Sequence, residues 1–239
     1  MQVVIFEDFL VAELRPVTLT RPAFGINLCG TSLYDLIASK GLSISYIVRE
    51  YLKDFCLQQY PLSPLKKGGI LFINACLPPS VSILRRILTL AEKKGPFLAQ
   101  RDSRVVCAFF PELEFKLEEF NELSMTGFLQ AQDYLLLEDK FPLLTFPFDV
   151  IKYHLMYFKE NLEELSRGFK ELERGVFVGK DVKIHPTVCM NAEEGIIIID
   201  ENTKIGPFVY LEGPLYIGKN CNIQERASIK KMSHISHTC

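Results

Sequence analysis

The sequence predicts an α/β protein in two parts, a mainly parallel sheet covered by helices followed by a short parallel β-helix. Three observations carry that expectation. Short β-rich runs such as QVVIF (Gln2 to Phe6), SISYIV (Ser43 to Val48) and GILFI (Gly69 to Ile73) alternate with helical patterns, and continuous apolar strands of this kind are buried on both faces. A long amphipathic segment, Pro147 to Arg167, then interrupts the alternation. Beyond it, Ile199, Ile205, Leu211, Ile217, Ile223, Ile229 and Ile235 fall at every sixth residue without a miss, a period that belongs to repeat architectures.

The elements follow in order. Helical patterns occupy TSLYDLIAS, REYLKDFCLQQY and SVSILRRILTLAEKKG. The last has Pro78 and Pro79 ahead of it, Lys93 and Lys94 in its final turn and Gly95 just beyond, the usual start and stop chemistry. PFLAQ and RVVCAFF flank RDS and read as a hairpin, and DYLLLE is a further strand candidate. Within Pro147 to Arg167 the residues Ile151, Leu155, Phe158, Leu162 and Leu165 repeat at spacings of four and three, with Gly168 as the stop. That helix either packs on the sheet or serves as a strut between domains. The expected division is an α/β domain over residues 1–144, a helical connector over 145–175 and a partial β-helix over 176–239.

The six-residue period has a physical cause. In a parallel β-helix with three flat faces, each unit makes one face, and its inward aliphatic side chain stacks on those of adjacent coils. Val178, Ile184 and Met190 keep the same period before a three-residue offset, and turn-forming residues sit between, as in VGKDVK, IGPFVY and IGKNCN. Roughly three coils result, near the minimum for a stable array. The repeats stop at SHISHTC without a capping helix, so the expectation is a chain that continues or is covered by another copy, since an open coil leaves unpaired strand edges.

Composition excludes several classes. The chain has 239 residues, 48% hydrophobic and 23% charged, with a net charge of −2, which gives no electrostatic footprint for a nucleic acid polymer. Glu7 and Asp8 interrupt the apolar start, and no run approaches the ~20 apolar residues of a membrane span; the expected location is the cytoplasm. Seven cysteines without a C-x-x-C pair read as reduced thiols, with neither zinc site nor disulfide frame and with Cys239 as an exposed thiol.

The residues that carry chemistry lie near the start. LRPVTLTRPAFG, Leu14 to Gly25, holds two Arg-Pro pairs. With VIFEDF before it, IVREYL at Ile47 to Leu52, LFINACL at Leu71 to Leu77, FPFDVIKYH at Phe146 to His154 and the six-residue repeats, it resembles the bacterial sugar-1-phosphate nucleotidyltransferases that carry a C-terminal hexapeptide-repeat domain. The resemblance, which extends to two-domain N-acetylglucosamine-1-phosphate uridylyltransferases and glucose-1-phosphate thymidylyltransferase-like proteins, implies a Rossmann-like nucleotide-diphospho-sugar transferase domain and a left-handed parallel β-helix. It implies a reaction in which a hexose or N-acetylhexosamine 1-phosphate attacks the α-phosphorus of a nucleoside triphosphate and pyrophosphate leaves, with Mg²⁺ as cofactor. Such families often form trimers through the β-helix.

Two polyanions must be held together in that reaction, which suits the planar fork of arginine. Arg21 is the expected catalytic residue, and Arg15, Thr20, Arg21 and Asn74 form the implied nucleotide and phosphate-binding set. Two have a structural alternative: Arg21 capping a carbonyl or pairing with an acid, Asn74 forming a turn. Asp8, with Glu7, and Asp149 are metal candidates, or else a solvated strand end and a first-turn acid favoured by the helix dipole. The sequence also departs from its relatives. EDFLVAEL replaces a glycine-rich phosphate loop and puts Glu13 where an arginine falls; Ala23 stands for a lysine; Gly30-Thr31 stands for a Gly-Lys pair; and FGINLCG carries Asn27 where the subgroup usually has an arginine. The alternative reading is therefore a nucleotide-sugar-binding or regulatory and assembly module with weakened catalysis. Acyl transfer needs a histidine base between coils, but His185, His234 and His237 read as corner residues, and that activity would need a longer chain.

Overall fold

The computed structural model describes every residue except 66, 67, 94 and 139; Lys94, expected in a final helical turn, lies outside the described residues. Two compact units result. The first comprises Met1–Ile26 and Thr31–Ile151, the second Asn27–Gly30 and Lys152–Cys239.

The first unit is built on a six-stranded sheet. Strands β1 (Gln2–Phe6), β2 (Ser43–Ile47), β3 (Ile70–Asn74), β4 (Phe97–Arg101), β5 (Arg104–Phe110) and β6 (Leu135–Leu137) lie in the order β2-β1-β3-β5-β4-β6. β1, β2 and β3 are parallel and in register, Phe6 pairing with Ile47 on one side and Asn74 on the other. β5 runs antiparallel to β3 and β4, while β6 is parallel to β4. All five residues of β1 and of β3 are buried, as their unbroken apolar runs demanded. The hairpin expected around RDS joins β4 to β5, with Asp102 and Ser103 at φ of 49° and 68°, the left-handed pair that a two-residue turn matched to strand twist requires.

Helices α1 (Leu33–Ala38), α2 (Lys53–Gln59), α3 (Val81–Lys93) and α4 (Met125–Gln130) complete the unit. Ser32 caps α1, its hydroxyl accepting from the Asp35 backbone N–H. α3 buries Val81, Leu84, Ile87 and Ala91 and exposes Arg85 and Arg86; each fully buried aliphatic side chain contributes about 1.5–3 kcal/mol of transfer free energy. β2 and β3 leave β1 in opposite directions, and such a reversal of strand order opens the ligand crevice of an open α/β sheet at the strands' carboxyl ends. The register delivers Glu7, Val48 and Ala75 to that edge together.

The long helix α5 spans Pro147–Ser166, one residue short of the sequence estimate. Its apolar stripe divides, however. In the second unit Phe158 and Leu162 are fully buried against Ile198 and Tyr216, whereas Leu155 is 56% exposed, as is Ile151, at 67%, in the first unit. Two polar side chains, the half-buried His154 and the buried Asn161, lie beside Phe158 on the helix. Asn161 donates to the Cys29 carbonyl at 3.0 Å, and His154 Nδ1 accepts from the Cys29 N–H at 3.0 Å. With Nε2 facing the Met232 carbonyl at 3.0 Å, the bonds fix the neutral Nε2–H tautomer, and burial lowers the His154 pKa.

The rest of the second unit is the β-helix. Its first face stacks β8 (Val176–Val178), β11 (Ile197–Ile199), β14 (Leu215–Ile217) and β17 (Ser233–Ile235), with β7 (Lys170–Glu173) antiparallel to β8. The second stacks β9 (Lys183–Ile184), β12 (Lys204–Ile205) and β15 (Asn222–Ile223), and the third β10 (Cys189–Asn191), β13 (Tyr210–Glu212) and β16 (Ser228–Ile229). The pairs Val178–Ile199–Ile217–Ile235, Ile184–Ile205–Ile223 and Met190–Leu211–Ile229 are in register. The three-residue offset is an enlarged corner between β10 and β11.

Asp181, Asn202, Asn220 and Thr238 occupy one corner with φ between 57° and 58°, a conformation that Asn and Asp tolerate best among residues with a side chain. The N–H groups of Asn202, Asn220 and Thr238 donate to the carbonyls of Lys180, Glu201 and Lys219 one coil away. One histidine differs from the expected corner role. His234 lies within β17, paired with Tyr216 and 5.2 Å from its ring; the six-residue rule marks inward positions and is silent about an outward face covered by α5. His185 does sit between strands and His237 follows the last one, its Nδ1 accepting from the Lys219 N–H.

Candidate functional site

The carboxyl edge of β1, β2 and β3 carries two buried ion pairs. Glu7, with no exposed surface, accepts from Arg49 Nε at 2.9 Å and Nη2 at 3.0 Å, from the Arg49 N–H at 3.1 Å and from the Ala23 N–H at 2.9 Å. Arg49 spends its other protons on the carbonyls of Thr18 (2.8 Å) and Arg21 (3.1 Å) and on the Tyr51 hydroxyl (2.7 Å). Burial alone would lower the Arg49 pKa, but the Glu7 carboxylate reverses this and the net direction is upward. Bidentate arginine pairs are the strongest of their kind.

Asp8 forms the second pair. Its oxygens accept from Arg104 Nε at 2.8 Å and Nη2 at 2.9 Å, from Asn74 Nδ2 at 2.8 Å and from the Leu10 N–H at 3.1 Å. Asn74 also donates to the Val105 carbonyl at 2.9 Å and accepts from the Cys76 N–H at 2.9 Å. Asn74 has no exposed surface, so a direct contact with nucleotide or sugar would mean breaking these bonds. Cys76 beside them is pushed up to about 12, first by burial, with the Arg104 cation acting in the opposite sense.

These pairs fasten the Arg-Pro loop. Glu7 holds the Ala23 N–H, Arg49 holds the Thr18 and Arg21 carbonyls, and the Thr18 hydroxyl donates to the Val11 carbonyl at 3.3 Å. Pro22, Ala23, Phe24 and Gly25 are buried while Arg15, Thr20 and Arg21 are exposed. Among the described residues, none of those three side chains makes an ion pair or a hydrogen bond. The arrangement is thus a rigid backbone, anchored at the strand ends, that presents two uncommitted guanidinium groups to solvent.

Aromatic rings back the loop. Phe24 packs against Tyr46 and Tyr60 at 5.4 and 5.1 Å, and Tyr34 against Tyr60 at 5.0 Å. Tyr46 and Tyr34 donate their hydroxyls to the carbonyls of Tyr60 and Pro61. No motif in the sequence marks Arg49, Arg104 or Tyr60 as part of the site. Arg49 lies in the quoted IVREYL, but no local pattern gives its partner.

The carboxylates present do not fit a protein-held Mg²⁺. Such an ion is bound through one or two carboxylates together with substrate phosphates, but Glu7 and Asp8 are each neutralised by a guanidinium that their oxygens already contact. Asp149 accepts from the backbone N–H groups of Thr145 and Phe146 at 2.9 and 3.0 Å, an arrangement that closes the turn into α5. Among the described residues, no group of three or more His, Cys, Asp or Glu side chains could hold a metal ion. No helix among them is long and apolar enough to cross a membrane.

Two family models match the chain. A bacterial transferase hexapeptide (six repeats) family model matches residues 197–231; the in-register strands extend the same architecture back to β8. A search of curated proteins gave no match. A sugar nucleotidyl transferase family model matches residues 3–176, which takes in the whole sheet, the Arg-Pro loop and α5, and the chain therefore belongs to the sugar nucleotidyl transferase family.

Proposed function

We propose that the first unit binds a nucleoside triphosphate and a hexose or N-acetylhexosamine 1-phosphate at the carboxyl edge of β1–β3 and forms a nucleotide sugar with release of pyrophosphate. One observation carries the reading: the family's Arg-Pro loop is fixed by Glu7 and Arg49 at the sheet's crevice edge, with Arg15, Thr20 and Arg21 exposed. A guanidinium binds phosphate in bidentate fashion without change of protonation, and a pre-positioned backbone spares the entropy of ordering a flexible loop around the ligand. In this reading Arg21 neutralises charge at the reacting phosphates, and Arg15 and Thr20 hold the polyphosphate. Asn74 and Asp8 are frame residues that set the strand ends. Sugar nucleotidyl transferases commonly use a divalent metal; Glu7 and Asp8, already paired with arginines, do not supply its ligands.

A second reading is favoured by a specific observation. Glu7 and Asp8, at the carboxyl end of β1, are each neutralised by a buried guanidinium, and lysine is replaced by Ala23, as a module that binds a nucleotide sugar without turnover would allow. A pyrophosphate-release assay over the common triphosphates and sugar 1-phosphates, with and without Mg²⁺, separates the two. Turnover of any pair supports the enzyme; binding of a nucleotide sugar with no turnover of any pair supports the module. For the second unit, the hexapeptide repeat supports self-association, proposed as a trimer.

A further inference from the structure

We infer that the hydroxyl of Tyr60 is a phosphate-binding group of the same site, a hydrogen-bond donor that works beside the guanidinium of Arg21. The inference deepens the proposed function and rests on Arg21 as a phosphate ligand.

Four observations point to it. Tyr60 is the odd member of its aromatic cluster: Tyr34 and Tyr46 spend their hydroxyls on backbone carbonyls, whereas the Tyr60 hydroxyl has no hydrogen-bond partner among the described residues. A phenol held half-buried usually finds one. The ring is fixed, edge-on to Phe24 at 5.1 Å and tilted against Tyr34 at 5.0 Å, so that the oxygen lies over Gly25, where a Cβ would collide with it. Gly25 therefore admits the hydroxyl to the surface of the Arg-Pro loop. Finally, although burial, the largest influence, raises the Tyr60 pKa, the Arg21 charge acts on it in the opposite sense, which puts the cation within electrostatic reach of the phenol. A neutral O–H donor next to a guanidinium complements a phosphate oxygen, since hydrogen bonds to charged groups exceed neutral ones in strength.

The chemistry suits a site short of lysines. A donor that needs no charge can replace part of what Ala23 no longer supplies. It also stays protonated across the physiological range, so it donates throughout.

Calorimetric titration with inorganic pyrophosphate tests the inference on the full chain, as wild type, Tyr60→Phe, Gly25→Ala and Arg21→Ala. Phenylalanine keeps the ring in its cluster and removes one oxygen. The expected result for Tyr60→Phe is about tenfold weaker binding, equivalent to about 1.4 kcal/mol, with the thermal midpoint unchanged. Gly25→Ala keeps both partners and displaces the hydroxyl, and should weaken binding in the same direction. If Arg21→Ala loses binding while Tyr60→Phe binds as wild type does, the hydroxyl has no such role and the proposed function stands. Wild type that binds neither pyrophosphate nor any nucleotide overturns both.

Discussion

Substituting Glu7 by glutamine should release the Arg-Pro loop from the sheet, and the cost can be worked from the geometry. Each oxygen of Glu7 accepts two hydrogen bonds, Oε1 from Ala23 N and Arg49 Nη2, Oε2 from Arg49 N and Nε. Glutamine preserves one oxygen and turns an N–H₂ group toward the other two donors. It also leaves Arg49, 5% exposed, as a buried cation without a counter-charge. Breaking a buried pair by removing one partner costs about 3–5 kcal/mol, and the retained bonds keep the expectation inside that range. Replacing both partners by methionine leaves no orphaned charge, but strands the Thr18 and Arg21 carbonyls and the Ala23 N–H. The double variant should therefore still be destabilised, yet by at least about 2 kcal/mol less than the sum of the singles, the size expected for groups in one network. The chain has no tryptophan and comprises two compact units, so a probe within the first unit is needed. Cys76, fully buried in the first unit, supplies one through pulsed thiol labelling in urea. A Glu7→Gln cost below about 1 kcal/mol, or additivity in the double variant, would refute the idea that this pair anchors the loop.

Three further outcomes follow from other contacts in the two units. Burial, with the neighbouring imidazoles of His154 and His237 acting in the same sense, lowers the His234 pKa to about 4. Because the folded value is depressed below the ordinary value near 6.5, stability is complete above that pH and falls as pH drops toward 4. Discounted for partial exposure, the loss is about 1–2 kcal/mol; thermal melts from pH 7.5 to 4.5 should show a shallower acid slope for His234→Phe, and an unchanged slope would count against the assignment. Leu211→Ala empties the middle of the Met190–Leu211–Ile229 stack, where Leu211 has no exposed surface, and should cost about 2–5 kcal/mol as read by urea denaturation of the β-helix. Arg104→Met leaves Asp8 buried and unpaired and should cost about 3–5 kcal/mol by Cys76 labelling; a loss under about 1 kcal/mol would remove Asp8–Arg104 from the frame.

Much of the fold is visible in the sequence where a period repeats. The six-residue rhythm from Ile199 onward and the earlier triplet of Val178, Ile184 and Met190 map onto three stacked faces, because one inward aliphatic per unit is what a thin β-helix core can hold. α5 was legible for the same reason, although spacing alone did not show which part of its stripe would be covered. The site was less legible. That two arginines in LRPVTLTRPAFG face solvent fits their residue types, but the buried frame beneath them joins Glu7 to Arg49 and Asp8 to Arg104 across 42 and 96 positions. Charge pairing over such separations leaves no local pattern. Asn27–Gly30 likewise looked like a continuation of the loop, yet His154 and Asn161 hold it in the second unit.

On this reading the exposed arginines of the loop, Arg15 and Arg21, form a phosphate site. Calorimetric titration of nucleoside triphosphates and nucleotide sugars into wild type and Arg21→Ala tests it most directly. Wild type should bind, and Arg21→Ala should lose at least about tenfold in affinity, or about 1.4 kcal/mol, at an unchanged thermal midpoint. Equal affinity in the two proteins would contradict it.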